Sequence, residues 1–173
     1  MILLNPITPQ TAQIFKAVRL RALQDTPSAF GSTYAKESQL TDDDWVKRAE
    51  RWGGSGERAA GFLAMDGEIA CGMVCSFLDE QDPTQAHLIA MWTDRTYRRQ
   101  GLGGRLVNAV LVWAHSRGVR TMLLMVTSNN ETAIRFYERL GFTHTGLTEP
   151  YPNDPSLIEL TTTELSNGHQ PNG

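Results

Sequence analysis

Residues 97–106, YRRQGLGGRL, gather Arg98, Arg99 and Arg105 around Gly101, Gly103 and Gly104, with Arg95 just upstream. The apolar run before them, QAHLIAMWT, reads as a strand; Leu102, Leu106, Val110 and Trp113 after them recur at helical spacing. A glycine-rich turn between a strand and a helix exposes backbone N–H groups at the positive end of the helix dipole. The glycines lack the Cβ atoms that would keep a ligand off that backbone, and the arginines add charge beside it. The combination is a cradle for a phosphate or pyrophosphate. A glycine-rich turn with solvated arginines is the plainer reading of the same spacing. Two nucleotide loops are excluded by residue type. A Walker loop ends in Gly-Lys-Ser/Thr, where this chain has Gly104-Arg105-Leu106. A dinucleotide fingerprint needs Gly or Ala where Leu106 stands.

The elements that must position this loop follow from periodicity and punctuation. Residues 2–4 read as a short strand, and Thr8-Pro9 opens a helix that closes near Asp25 before Pro27. SAFGSTYAKE reads as a loop. Thr41 caps a second helix with Asp42, Asp43 and Asp44 in its first turn and Trp45, Ala49 and Trp52 as its apolar stripe. AAGFLAM and EIACGMVCSFL flank Asp66-Gly67, a hairpin signal. Gly118 stops the helix after the loop, RTMLLMV reads as a strand buried on both faces, and NETAIRFYERL as a helix stopped by Gly141. Strands near 142–148 and 157–163 follow. A strand, helix, strand order around 85–140 predicts a parallel pair joined by a right-handed crossover. The fold class is α/β: one mixed, mostly antiparallel sheet with a central parallel pair, flanked by helices. One domain over 1–165 is expected, and SNGHQPNG, residues 166–173, reads as a disordered tail.

Composition narrows the classes. The 173 residues carry a net charge of −3, which argues against nucleic-acid or anionic-membrane partners. No apolar run is long enough to span a membrane, and the N-terminus lacks the basic region of a signal peptide. Cys71 and Cys75, four residues apart on a strand, sit roughly 13 Å from each other, too far for a disulfide, with no further Cys for zinc. Buried thiols in a reducing compartment point to the cytoplasm.

MWTDRTYRRQGLGGRL resembles motif A of the GNAT superfamily of N-acetyltransferases, whose Arg/Gln-x-x-Gly-x-Gly/Ala core is met by Arg98, Arg99, Gln100, Gly101, Leu102 and Gly103. SNNETAIRFYERLGF resembles the family's motif B, and the element order matches from about residue 10 to 163. The resemblance implies acetyl-CoA as co-substrate. It places the pyrophosphate on the backbone of Arg99 through Gly104 and the pantetheine arm along Met91, Trp92 and Thr93, by addition to a strand that parts from its neighbour. Asn130 matches the position that hydrogen-bonds the arm. The chain departs from the pattern at Arg95, where Pro is usual, and at Arg99, where Gly is usual.

Acetyl transfer to an amine needs a neutral nucleophile, a polarised carbonyl and a proton for the departing thiolate. The resemblance implies a carbonyl-polarising N–H near Trp92 and makes Tyr137 the general acid. Asn130 and Tyr137 lie two helical turns apart on nearly one face. Met125 stands where some members carry a glutamate base. Another family position aligns His87, which strand alternation places on one face with Ile89, Met91 and Thr93; a merely packed or exposed His87 is the competing reading. Tyr34 and Glu37 are candidate acceptor contacts, Glu37 for a cationic amine, against a solvated-loop reading. The acceptor, a small-molecule amine or a peptide or protein amine, stays open, as does a homodimer. A non-catalytic CoA-sensing or partner-binding module is the alternative function.

Overall fold

A computed structural model describes residues 1–27, 30–53, 57–151, 156–162 and 165; the expected tail at 166–173 lies outside the described residues. The chain runs β1 (Ile2–Pro6), a 3-10 turn (Pro9–Thr11), α1 (Ala12–Asp25), α2 (Tyr34–Glu37), α3 (Asp42–Gly53), β2 (Ala59–Asp66), β3 (Ile69–Leu78) and β4 (Gln85–Thr93). A second 3-10 turn (Arg95–Tyr97), α4 (Leu102–Ser116), β5 (Thr121–Thr127), α5 (Glu131–Arg139), β6 (Phe142–Glu149) and β7 (Leu157–Thr162) complete it. The strands form one seven-stranded sheet in the order β1-β2-β3-β4-β5-β7-β6. Every neighbouring pair is antiparallel except β4 and β5, which are parallel and joined through α4, as expected.

Local chemistry accounts for the ends. Thr41 and Asp44 cap α3 reciprocally, each backbone N–H donating to the other's side chain at 2.9 and 3.2 Å. Gly67, at φ 61°, supplies the left-handed residue of the β2–β3 turn. The region read as a loop contains α2, whose N-cap Thr33 accepts from the Lys36 N–H. Each face of the sheet carries its own core. Leu102, Leu106, Val110 and Phe142 pack with β5 on the α4/α5 face, while Phe15, Val18, Trp45 and Trp52 pack on the α1/α3 face. Trp113, expected on the buried stripe of α4, is only half-buried; Val107 and Ala114 take that place. Cys71 and Cys75 are free and buried, one in each core, and burial pushes the Cys75 thiol up to about 12.

Two features of β4 govern the rest. Met73 pairs with Trp92 but Cys75 pairs with Ile89, so Val74 opposes two residues and β4 bulges there. Ala90 sits in that bulge at φ 55°, in the left-handed region. The bulge reverses the parity of the strand. Before it, Ala86 and Leu88 join the α4/α5 core; beyond it Met91 packs on that core and Trp92 on the other. The expected alternation of His87, Ile89, Met91 and Thr93 on one face therefore fails at residue 90. Secondly, β4 and β5 pair only at Gln85–Thr121, Ala86–Met122 and His87–Leu123, and then part. With β4 withdrawn, β5 is not buried on both faces: Met122, Leu124 and Val126 are buried, but Met125 is 38% exposed.

Because an L-residue at positive φ is strained and a branched Cβ worsens it, Ala90→Val should destabilise the protein by about 2 kcal/mol. Urea unfolding monitored by tryptophan fluorescence checks this; an unchanged midpoint would mean that the bulge accommodates branching.

Candidate functional site

The glycine loop sits where β4 has left β5. Arg98 is extended (φ −70°, ψ 156°), Arg99 is left-handed at φ 64°, and Gly101 is left-handed at φ 78° as the N-cap of α4. Left-handed Gly101 followed by the right-handed first turn of α4 is a change of backbone hand that turns successive N–H groups into a concave anion site. Gly101 offers no side-chain cap, so the first-turn N–H groups of α4 stay available. Arg99 holds a conformation that costs a non-glycine residue about 1–2 kcal/mol. Its side chain is exposed and unpaired among the described residues.

The other arginines are directed away from the cradle. Arg95 Nε and Arg98 Nη2 donate to Asp25, at the end of α1, at 2.7 and 2.6 Å, and the Trp92 indole N–H donates to the same carboxylate at 3.0 Å. Arg98 Nε also donates to the Thr93 carbonyl at 2.9 Å, Gln100 Nε2 to the Thr96 carbonyl at 3.2 Å, and Arg105 Nη2 to the Ile2 carbonyl at 3.0 Å. The expectation that the arginine side chains gather for phosphate is corrected: Arg95 and Arg98 fasten the loop to α1. The glycines also divide in purpose. A Cβ at Gly103 would come within 2.9 Å of Phe136 Cζ and 3.2 Å of Met91 Cε, so its absence lets α4 approach α5, whereas Gly104 has room for one.

Between the parted strands lies a cleft of about 540 Å³ that Met91, His87, Met125, Asn130 and Tyr137 help to line. A larger hollow of about 820 Å³ beside Arg51 and Arg58 touches neither the strand parting nor Tyr137. Asn130 caps α5, its Oδ1 accepting from the Ala133 N–H at 3.2 Å. Tyr137 is buried, edge-on to Phe136 and Phe142 at 5.0 and 5.6 Å, and its hydroxyl makes no hydrogen bond among the described residues. Burial pushes its phenol well above the usual tyrosine range. His87 lies on the opposite side of the sheet, stacked on Phe77 at 5.0 Å, with Nε2 2.8 Å from Asp79 Oδ1. The His87 hydrogen bond, then the Asp82 and Gln81 backbone N–H groups, hold the Asp79 carboxyl below its ordinary value.

The two acceptor candidates fare differently from expectation. Tyr34 is 40% exposed and does not line the cleft. Glu37 is 2% exposed; Arg19 grips it through Nε and Nη2 at 3.1 Å each, and Arg48 Nη1 adds a bond of 2.8 Å. Burial alone would raise its pKa, but Arg19, then the Ser32 hydrogen bond and Arg48, outweigh that and lower it. Glu37 is therefore no free anchor for an amine, because α2 folds it under Arg19. Two further residues were not singled out by the sequence. Asp25 looked like a helix terminus and carried no motif. Glu159, on β7 opposite Met125 of β5, lines the cleft; its signal was a lone acid in the apolar run LIEL.

The acetyltransferase (GNAT) family profile matches residues 20–142. The [ribosomal protein bS18]-alanine N-acetyltransferase of Escherichia coli K12 is 36% identical over 98 residues, which is 56% of this chain and 63% of that protein. The chain spans about one to two thirds of the length of these curated relatives, the second being an uncharacterized N-acetyltransferase of Methanocaldococcus jannaschii, 34% identical over 85 residues, 49% of this chain and 34% of that protein. The structure of a GNAT-family acetyltransferase from Streptococcus pneumoniae superposes with a TM-score of 0.80 at 19% identity, covering 94% of this chain and 98% of that one. That of a Thermoplasma acidophilum PaiA N-acetyltransferase in complex with coenzyme A superposes at 0.73 and 13% identity, covering 94% and 99%. At these identities the structural likeness speaks for the fold.

Asp25 yields a pH prediction. Burial raises its pKa, but Trp92, Arg98 and Arg95 together outweigh burial and leave it below the ordinary 3.8. A depressed folded-state pKa contributes stability that is complete above the unfolded value and lost as pH falls through the folded one. Asp25→Asn should therefore lower the melting temperature near neutral pH and flatten its fall below about pH 4. Parallel melting curves for parent and variant across pH 2–5 would contradict this.

Proposed function

The chain belongs to the GNAT family of acetyltransferases, and from that premise we propose that it moves an acetyl group directly from acetyl-CoA to a primary amine. The observation that carries the proposal is the parting of β4 from β5 after three pairs, which leaves the β5-facing edge of residues 88–93 without a ladder partner. An extended ligand with its own amides can complete that edge as an added strand. Beyond it, the left-handed Arg99 and Gly101 and the uncapped start of α4 suit a diphosphate. Acetyl-CoA, when bound, supplies the activated acyl thioester.

The chain's own residues then have separable tasks. The backbone of Arg99 to Gly104 holds phosphate, and that of Met91, Trp92 and Thr93 aligns the arm, with a backbone N–H near Trp92 directed at the carbonyl. Asn130 commits its oxygen to Ala133, which leaves its Nδ2 to donate to the arm. Tyr137, kept protonated by burial, donates its proton to the departing sulfur. His87, its ring oriented by Asp79, accepts the amine proton directly or through water. The name of the Escherichia coli relative, an alanine N-acetyltransferase of a ribosomal protein, supports a peptide or protein amine among the acceptors; a small amine is the other class. We assign residues 1–165 to this one domain, and the two free buried thiols support a cytoplasmic site. Among the described residues no helix is long and apolar enough to cross a membrane. The exposed Met125, a residue that cannot take a proton, favours a second reading, a CoA-sensing module without turnover.

Thiol release from acetyl-CoA across a panel of amines and peptides separates the two readings: release with an amine supports the enzyme, and binding without release the module. Tyr137→Phe should lower kcat roughly 10–100-fold, the low end of general-acid effects. The acetyl-CoA-induced stabilisation, about 2.7 kcal/mol at 100 times Kd, should persist. A variant that turns over at the parent rate with chemistry rate-limiting would remove Tyr137 from the mechanism.

A further inference from the structure

We infer that Glu159 is the carboxylate that seats the acceptor's ammonium, and that the acceptor is a cationic amine carried on an apolar body. The inference rests on the acetyl-transfer reading for the role of the bound amine, but its evidence is the charge inventory of the cleft.

The geometry comes from register. On β5, Met122, Leu124 and Val126 pack into the α4/α5 core, so Leu123 and Met125 face the other side of the sheet. Residues directly opposite on antiparallel strands share a face. Glu159 pairs with Met125, while Ile158 and Leu160 pair with Val126 and Leu124 of the core. Glu159 therefore stands beside Met125 on the side of the sheet opposite Tyr137, the side from which an acceptor can approach the strand parting. One strand over, it offers the carboxylate that position 125 lacks.

The charge inventory selects the ligand. Among the described residues, four charged or titratable side chains besides Tyr137 line the cleft: Arg19, His87, Tyr151 and Glu159. Arg19 is matched bidentately by Glu37, whose Oε1 also accepts from Arg48, a side chain that is 40% exposed and does not line the cleft. His87 is paired with Asp79, and the Tyr151 hydroxyl donates to the Phe30 carbonyl at 3.2 Å. Glu159 alone has no side-chain partner among the described residues, although it is half-buried. A half-buried carboxylate without a partner is stabilised by a ligand that brings a positive charge, and it disfavours an anion. The surrounding wall is apolar and aromatic, with Phe30, Phe77, Ile89 and Met125. An ammonium on an apolar body is complementary to both features.

Met125 provides a reporter that needs no turnover. With the protein labelled at its methionine methyls, and Met125 assigned by Met125→Leu, 2-phenylethylamine should shift the Met125 signal saturably. The isosteres 2-phenylethanol and 3-phenylpropanoate should require at least tenfold higher concentrations. E159Q should raise the amine Kd at least tenfold, leave that of the alcohol within twofold and leave the acetyl-CoA melting shift intact. E159D, which keeps the charge, should recover part of the loss. Equal amine affinity in parent and E159Q, equal affinity for all three probes, or no effect of the amine on Met125 would each overturn the inference. Selective, Glu159-dependent amine binding in a protein that releases no thiol from acetyl-CoA would uphold it and sink the transferase reading. Thiol release with an amine KM indifferent to E159Q would do the reverse.

Discussion

The structure depends on one failure of hydrogen bonding: β4 and β5 begin as a parallel pair and cannot continue as one. The ladder stops after His87 and Leu123, and the bulge at Ala90 turns the strand away. A sheet interior with unpaired backbone is costly unless something else satisfies it. The same bulge exchanges the faces of the strand. It delivers Met91 to the α4/α5 side, against the space left by Gly103, and Trp92 to the α1 side. From there the Trp92 indole reaches Asp25, which also holds Arg95 and Arg98. The loop position and the seating of α1 thus follow from one backbone irregularity just beyond the point where the strands part.

The electrostatics follow a similar economy. In a chain with a small net negative charge, the arginines of the loop and of α1 are mostly engaged with carboxylates: Arg19 with Glu37, Arg21 with Asp94, and Arg95 and Arg98 with Asp25. These contacts are structural before they are functional. The surface-exposed members, such as Arg95 at 75% exposure, add little stability individually. Their joint effect is to hold a loop whose central residue, Arg99, is strained.

Much of the architecture was legible in the sequence because it rests on local signals. The cap at Thr41, the left-handed glycines 67, 118 and 141, and the strand–loop–helix order each act within a few residues. The readings that failed depended on distant partners. Nothing near Glu37 in the sequence shows that Arg19 and Arg48 enclose it. The alternation that grouped His87 with Met91 assumed a regular strand, and no residue type announces a bulge at an alanine. RTMLLMV looked buried on both faces because apolarity does not distinguish a core from a cleft wall. Glu159 escaped notice for the opposite reason, since its importance comes from its cross-strand neighbour rather than from its own context.

The fastening of the glycine loop by Asp25 also bears on the kinetics of encounter. Arg98 is tethered at both the Thr93 carbonyl and Asp25, Gln100 at Thr96, and Arg105 at Ile2, so the segment is shaped by the fold itself. An anion arriving at such a segment meets its donors already oriented. Under the proposed function, association would then need no rearrangement of the loop, and differences in affinity among related phosphate ligands would be expressed mainly in how quickly they leave.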